Sequence, residues 1–313
     1  MHYFIFNFKM DQEKVESLLN SMAVAHNMQR KNKEWFLWKF RDNPFGEAIL
    51  ACAEEDGQIV GCVAYGIQNF YYENSIIKGV LSFETFVHPK YQGRGIFSKL
   101  LKIGEREVLD RGVKLMLNFP NSNSLKGFLN KDWKKLDVAE YWIKGKSFLT
   151  IPFNFSDLRK KFIPVNSNLD LLKFPINFEQ QQQNNLYSVI SNAYLKWRFY
   201  SFPNGAYFYI KQTNCDIILR MGYRGKLKEA QVLYFNIKDP TELKLKEIKK
   251  ELNYDLISFP ISRNNQLRPF LKKSGFIKVP NKTNVCYKIL DNNEISDEDV
   301  LNISLSAINY HTY

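Results

Sequence analysis

One aromatic string occurs twice in this chain, and a duplication constrains a fold more tightly than any average property does. W-K-F-R-D-N-P-F-G runs from Trp38 to Gly46 and W-R-F-Y-S-F-P-N-G from Trp197 to Gly205, so Trp38, Phe40, Pro44 and Gly46 each recur 159 residues later. A second echo pairs L-M-L-N-F-P-N-S, ending at Ser122, with D-L-I-S-F-P-I-S, ending at Ser262, at an offset of 140 residues. Each is followed by a helix-like stretch and an aromatic: Phe128-Leu129 then Trp133, and Phe270-Leu271 then Phe276. Two echoes in the same order predict tandem copies of one α/β unit, which 313 residues can hold. The offset shrinks by 19 residues, so the second copy lacks about that many between its echoes.

Hydrophobic residues make up 45% of the chain and charged ones 24%, enough for a sizeable core and too apolar for a disordered chain. No apolar run approaches the roughly 20 residues that cross a bilayer, and the opening M-H-Y-F-I-F-N-F-K-M has no basic flank or small-residue cleavage site. A cytoplasmic protein without a membrane span is expected. Cys52, Cys62, Cys215 and Cys286 form no C-x-x-C pair and have no histidine nearby, which argues against zinc and a disulfide framework and predicts buried thiols. The net charge of +12 can attract phosphates, but the basic residues are scattered rather than striped, so a nucleic-acid partner is not expected.

The first copy reads as a series of strands and helices. Asp11 is placed to cap a helix with apolar Val15, Leu18, Leu19 and Met22 at helical spacing. Strands Ala48 to Cys52 and Ile59 to Tyr65 flank a hairpin signal at Glu54-Glu55-Asp56-Gly57. Val80 to Val87 is a further strand stopped by His88-Pro89. Ser98 to Asp110 reads as a helix, Val113 to Phe119 as a strand, Ser124 to Asn130 as a short helix and Val138 to Phe148 as the last strand.

Between the third strand and its helix stands Y-Q-G-R-G-I-F. Glycines at 93 and 95 free the backbone so that successive N–H groups can face a phosphate at the positive end of a helix, with Lys90 and Arg94 adding formal charge. V-H-P-K-Y-Q-G-R-G-I-F-S-K-L-L resembles the acyl-CoA loop of the GNAT acyltransferase superfamily, Q/R-x-x-G-x-G/A after a strand ending in Val-x-Pro; Gln92, Gly95 and Val87-His88-Pro89 match. The family's N-x-x-A-x-x-x-Y-x-x-x-G-F falls on Asn121, Ser124, Phe128, Asp132 and Trp133. Two of the departures from the family pattern carry weight. Phe97 takes the place of the last Gly or Ala, and Phe128 that of the tyrosine that in many members protonates the leaving thiolate.

The resemblance implies an α/β (α+β) fold of two tandem GNAT-like domains, each a mixed central sheet flanked by helices. The expected boundaries are a catalytic domain at 1–150, a linker at 151–178, a degenerate domain at 179–291 and a tail at 292–313 that returns to the body. The second copy runs from Val232–Ile237 straight into Asp239-Pro240-Thr241, so the cradle falls in what it lacks. The implied donor is acetyl-CoA, held by Phe86, Val87, Gln92, Gly93, Arg94, Gly95, Ile96, Phe97, Ser98, Asn121 and Phe128. The implied acceptor is a small-molecule amine, for which an aminosugar is one choice. Glu84 is the candidate base, although S-F-E-T-F-V equally permits a solvated Glu on an alternating strand. His88, next to Pro89 at the strand end, is expected to be a surface cap rather than a base, while Asn121 as a helix cap or a contact to the pantetheine arm, and Glu140, Tyr141 and Trp142 as core or acceptor-cleft residues, stay open. The two aromatic strings are expected to serve packing. A tRNA-dependent aminoacyl transferase of the peptidoglycan-bridge type and a non-catalytic acyl-CoA-binding protein are the alternatives.

Overall fold

A computed structural model of the chain describes residues 1–147, 149–153, 155–158, 160, 162–164, 186–203, 207–213, 215–237, 239, 243–280, 283–291 and 293–310. Phe148, linker residues 165–178, Gly205 of the repeated string and Pro240-Thr241 lie outside the described residues. The strands are β1 (His2–Ile5), β2 (Ile49–Glu55), β3 (Gln58–Tyr72), β4 (Ser75–Val87), β5 (Leu115–Asn118), β6 (Lys134–Leu136), β7 (Ala139–Gly145), β8 (Phe162–Pro164), β9 (Tyr187–Ser188), β10 (Phe208–Gln212), β11 (Cys215–Arg224), β12 (Leu227–Ile237), β13 (Leu256–Ser262), β14 (Ile277–Val279) and β15 (Val285–Ile289). The first helices are α1 (Val15–His26), α2 (Lys33–Phe36), α3 (Ile96–Asp110) and α4 (Ser122–Leu129).

The chain divides into two compact units that are discontinuous in sequence, where the sequence suggests continuous ones. The first comprises Met1–Leu136, Ala193–Pro203 and Asn284–Val300; the second comprises Asp137–Asn192, Asn204–Thr283 and Leu301–Tyr313.

In the first unit the sheet order is β1-β2-β3-β4-β5-β15-β6. Asp56 and Gly57, at φ of 51° and 75°, give the β2–β3 hairpin its two successive left-handed residues, the conformation that matches strand twist. β4 runs parallel to β5, from Gly79–Leu115 to Ser82–Asn118. Val15, Leu18, Leu19 and Met22 of α1 are buried as their spacing requires. Asp11 does not cap that helix; its carboxylate accepts from the Asn7 N–H at 2.8 Å. On the other side, α3 buries Leu100, Leu101 and Val108. Gly104 admits the Tyr65 ring so closely that a Cβ there would stand 2.6 Å from it.

The second unit has the order β10-β11-β12-β13-β7-β14, with β8 on β11. Its β12–β13 pair is parallel, repeating the β4–β5 relation. The duplication is visible here, and so is an exchange. β7, expected to close the first copy, pairs with β13 from Leu256–Gly145 to Ser262–Ala139, while β15 inserts between β5 and β6. Strand pairing is non-local, and alternating apolar residues fit any sheet that needs a strand, so sequence cannot choose between the two.

Both repeated strings contribute to the first unit. They form π-helical turns, Leu37–Arg41 and Lys196–Tyr200. Trp38 Nε1 donates to the Trp197 carbonyl at 2.8 Å, and Trp197 Nε1 donates to the Trp38 carbonyl at 2.7 Å. The two rings stack at 5.4 Å. All four cysteines are free and buried. The tail is apolar on its inner side: Ile295 and Val300 are buried in the first unit, and Ile303, Leu305 and Ile308 in the second.

Candidate active site

β4 carries the local irregularity that builds the site. Cys62 pairs with Phe86 and Ala64 with Phe83, so Val63 faces both Glu84 and Thr85, the two-against-one count of a β-bulge. Glu84 sits at φ 45°, a left-handed conformation that a non-glycine residue adopts at a cost of about 1–2 kcal/mol. The bulge leaves an unpaired backbone group and re-aims the neighbouring side chains.

β4 then delivers the chain to the glycine loop. Gly93 and Gly95 take φ of 78° and 72°, and a Cβ at either would meet nothing within 4 Å. Gly95 is the N-cap of α3 and no side chain caps that end, so the first-turn amides keep their capacity for an anion. Gln92 Nε2 donates to the Val87 carbonyl at 3.1 Å and ties the loop to the strand. A cleft of about 290 Å³ opens here. Of the expected residues, Phe86, Val87, Gln92, Gly93, Gly95, Ile96, Phe97 and Ser98 line it together.

Three expected contacts are placed elsewhere. Arg94 points outward, 57% exposed, over the Tyr91 ring and 3.8 Å from Glu55. Asn121 Oδ1 accepts from the Ser124 N–H at 2.9 Å, which is the helix-cap role. Phe128 is buried in the core, edge-on to Phe97 at 5.4 Å and to Trp133 at 5.2 Å. Phe97 therefore leans on Phe128 and on Gly127, where a Cβ would stand 2.9 Å from the ring. Thr85, Tyr91, Ser124 and Gly127 also line the cleft, unforeseen from the sequence. The family's A-x-x-x-Y spacing holds Ser124 and could have flagged it; nothing local marks Thr85.

Glu84 is not a solvated strand residue. Lys39, 6% exposed, places Nζ 3.1 Å from Glu84 Oε1, and His26 Nε2 stands 3.9 Å from Oε2. Burial pushes the Lys39 ammonium below its ordinary range; Glu84 pulls the other way, and Arg198 and Lys31 add to the lowering. The Trp35 and Phe83 rings face the same Nζ at 5.4 and 4.9 Å. Nothing in the sequence marks Lys39 or His26 as a partner of Glu84, since each is distant from it along the chain. His88 is a turn cap: its Nδ1 accepts from the Lys90 N–H at 3.3 Å.

The second unit keeps the bulge but has neither the carboxylate nor the glycine loop. Between the pairs Ile218–Tyr234 and Leu219–Val232 the extra residue is Leu233, fully buried where the first unit has Glu84. No glycine stands between Ile237 and the helix Leu245–Leu252. Glu140, Tyr141 and Trp142 are buried members of the second unit. Glu140 is held by Trp142 Nε1 and Arg268, and the Tyr141 hydroxyl donates to Glu229 at 2.6 Å.

A mixed sheet with a bulged strand, a glycine loop and a helix opening on a cleft is the architecture of the GNAT acyltransferases. Residues 13–126 match the acetyltransferase (GNAT) family. The chain is 26% identical over 141 residues to a thialysine N-epsilon-acetyltransferase of Mus musculus, covering 44% of this chain and 76% of that protein. A GCN5-related N-acetyltransferase of Anabaena variabilis has the same fold with a TM-score of 0.63 and 11% identity, over 93% of this chain and 73% of that one. A conserved protein of unknown function from Enterococcus faecalis, a probable N-acyltransferase, gives 0.60 and 10%, again over 93% and 73%. Among the described residues no helix is long and apolar enough to cross a membrane.

Proposed function

We propose that the first unit binds acetyl-CoA in the cleft between β4, the glycine loop and α4, and transfers the acetyl group to a small primary amine. The observation that carries this is the uncapped N-terminus of α3 behind two left-handed glycines, at the end of a strand whose bulge bears a carboxylate. The α3 amides would hold the pyrophosphate, and β4 would line the pantetheine arm toward the bulge. The amine nitrogen attacks the thioester carbonyl carbon; the C–N bond forms, the C–S bond breaks, coenzyme A leaves as the thiolate, and Glu84 takes the proton from nitrogen. Phe128 has no proton to give. A thiol of pKa about 8.5 leaves as its anion without one. The mouse relative's name puts thialysine first on an acceptor panel, beside aminosugars.

Calorimetric titration of acetyl-CoA into the wild type and a Gly95→Trp variant tests the reading. Wild-type binding that the variant abolishes, with secondary structure retained, is the expected result. A wild type that binds neither acetyl-CoA nor coenzyme A overturns it.

A further inference from the structure

The second unit has an opening of its own at the corner that matches the cleft of the first. The first cleft lies between the start of α3, the helix after β4, and α4, the helix after β5. In the second unit the helix after β12 is Leu245–Leu252 and the helix after β13 is Arg268–Lys273. Between them a cavity of about 520 Å³ is lined by Leu243 to Glu247, by Phe270 and Ser274, and by Lys144 of β7. Small-molecule sites usually measure about 300–1,000 Å³. The corner has kept its opening and changed its chemistry, since it presents lysines where the first unit presents glycines. Lys144 is half-buried and fixed: its Nζ donates to the Ser274 carbonyl at 2.6 Å and stands 5.8 Å from the Phe276 ring. A carbonyl leaves the ammonium its full charge, and further N–H groups remain for a ligand. Among the described residues the one carboxylate in ion-pair reach of Lys144, Lys244 or Lys246 is Glu247, 3.7 Å from Lys244. Three positive charges against one negative leave the cavity an excess of two.

We propose that this cavity binds a phosphate-bearing small molecule, its anionic end against Lys144 and Lys246 and its ring or apolar body on Phe270. Phosphate oxygens accept from ammonium N–H groups, and such charge-assisted hydrogen bonds are roughly twice as strong as neutral ones. Phe270 packs partly on the core and, with Leu243 and Leu245, gives the cavity an apolar wall, so recognition has a second element besides charge. No residue lines both this cavity and the cleft at the glycine loop.

Calorimetric titration of inorganic pyrophosphate, ADP and adenosine into the full chain carrying Gly95→Trp tests the site with the first cleft blocked. Pyrophosphate and ADP should bind, ADP several-fold the tighter, while adenosine at the same concentrations should not. Lys144→Gln and Lys246→Gln should each weaken ADP about tenfold, since each removes a hydrogen bond from a charged donor. Lys211→Gln, which takes the same charge from β10 of the same unit, should leave ADP affinity unchanged. Lys246 is exposed, so its variant keeps the fold even if Lys144→Gln disturbs it. Raised salt should weaken binding further. Failure of both pyrophosphate and ADP to bind overturns the site. Equal weakening by all three variants also overturns it, because the net charge of +12 would then be acting diffusely. Adenosine binding as tightly as ADP refutes the role of the lysines, and ADP binding no tighter than pyrophosphate refutes that of Phe270. None of these results depends on turnover or on acetyl-CoA, so the site stands or falls apart from the transferase reading.

Discussion

Replacing Gly127 by alanine separates the fit of the cleft from the stability of the fold. A Cβ at 127 would stand 2.9 Å from Phe97 Cε1, whereas carbon contacts are optimal from about 3.5 Å, so the ring must retreat by roughly 0.6 Å. Phe128, edge-on at 5.4 Å, blocks one direction, and the ring yields toward the cleft that it lines. Driving an aromatic side chain about 30° from its rotamer costs about 0.5–1.5 kcal/mol. Alanine in place of glycine within a helix returns about 0.8–1 kcal/mol. The two nearly cancel, and the urea-derived stability of Gly127→Ala should lie within about 1 kcal/mol of wild type. Acetyl-CoA affinity has no such compensation. A narrowed cleft is expected to raise Kd about tenfold, or about 1.4 kcal/mol. Calorimetric titration and urea unfolding on the same preparation give both quantities, and Gly127→Ala with Phe97→Leu should recover the affinity. An unchanged Kd in the single variant, or no recovery in the double one, refutes the argument.

Three further outcomes follow from the same geometry. Glu84→Gln should lower kcat about 10²- to 10⁴-fold with little change in acetyl-CoA binding, measured by steady-state kinetics and calorimetry; unchanged turnover would exclude Glu84 as the base. The Lys134 ammonium and the Tyr287 hydroxyl hold the Asp297 carboxyl below its usual range, and Lys114 does the same for Asp291. Depressed carboxyls contribute stability above their unfolded pKa of about 3.9 and lose it as pH falls through the lower folded value, so the urea midpoint should drop most steeply below about pH 4. Asp297→Asn should flatten that drop, and an unaltered profile would remove the ion pair from the account. A fragment ending at residue 150 lacks β15, leaving β5 and β6 without the strand between them. Circular dichroism should find it unfolded or aggregated, although it contains the whole glycine loop.

Much of the candidate cleft's lining was legible because it is made of consecutive residues. Gly93 and Gly95 stand where the backbone must turn left-handed, and a single stretch from Phe86 to Ser98 supplies most of the wall. Asp132, where the family pattern has glycine, takes φ 65°, so even that departure keeps the conformation it replaces. The duplication was legible too, down to Trp38 and Trp197, whose spacing shows in the sequence and whose exchanged hydrogen bonds do not. Pairings set by the sheet were not legible. Nothing around Glu84 announces that Thr85 shares its place opposite Val63, or that a lysine 45 residues earlier will bury its ammonium against the carboxylate. The destinations of β7 and β15 are choices between chemically equivalent sheets, made by the whole fold.

The placement of β15 also sets a timetable for the protein's birth. Domains generally fold as units with the N-terminal one first as the chain leaves the ribosome. Here the first sheet waits for Val285–Ile289, so β5 and β6 emerge long before the strand that joins them has been translated. For most of synthesis the first unit carries open strand edges, which are templates for pairing with other chains. Its yield in a cell should therefore depend on translation speed and on chaperone supply more than the stability of the finished molecule would suggest.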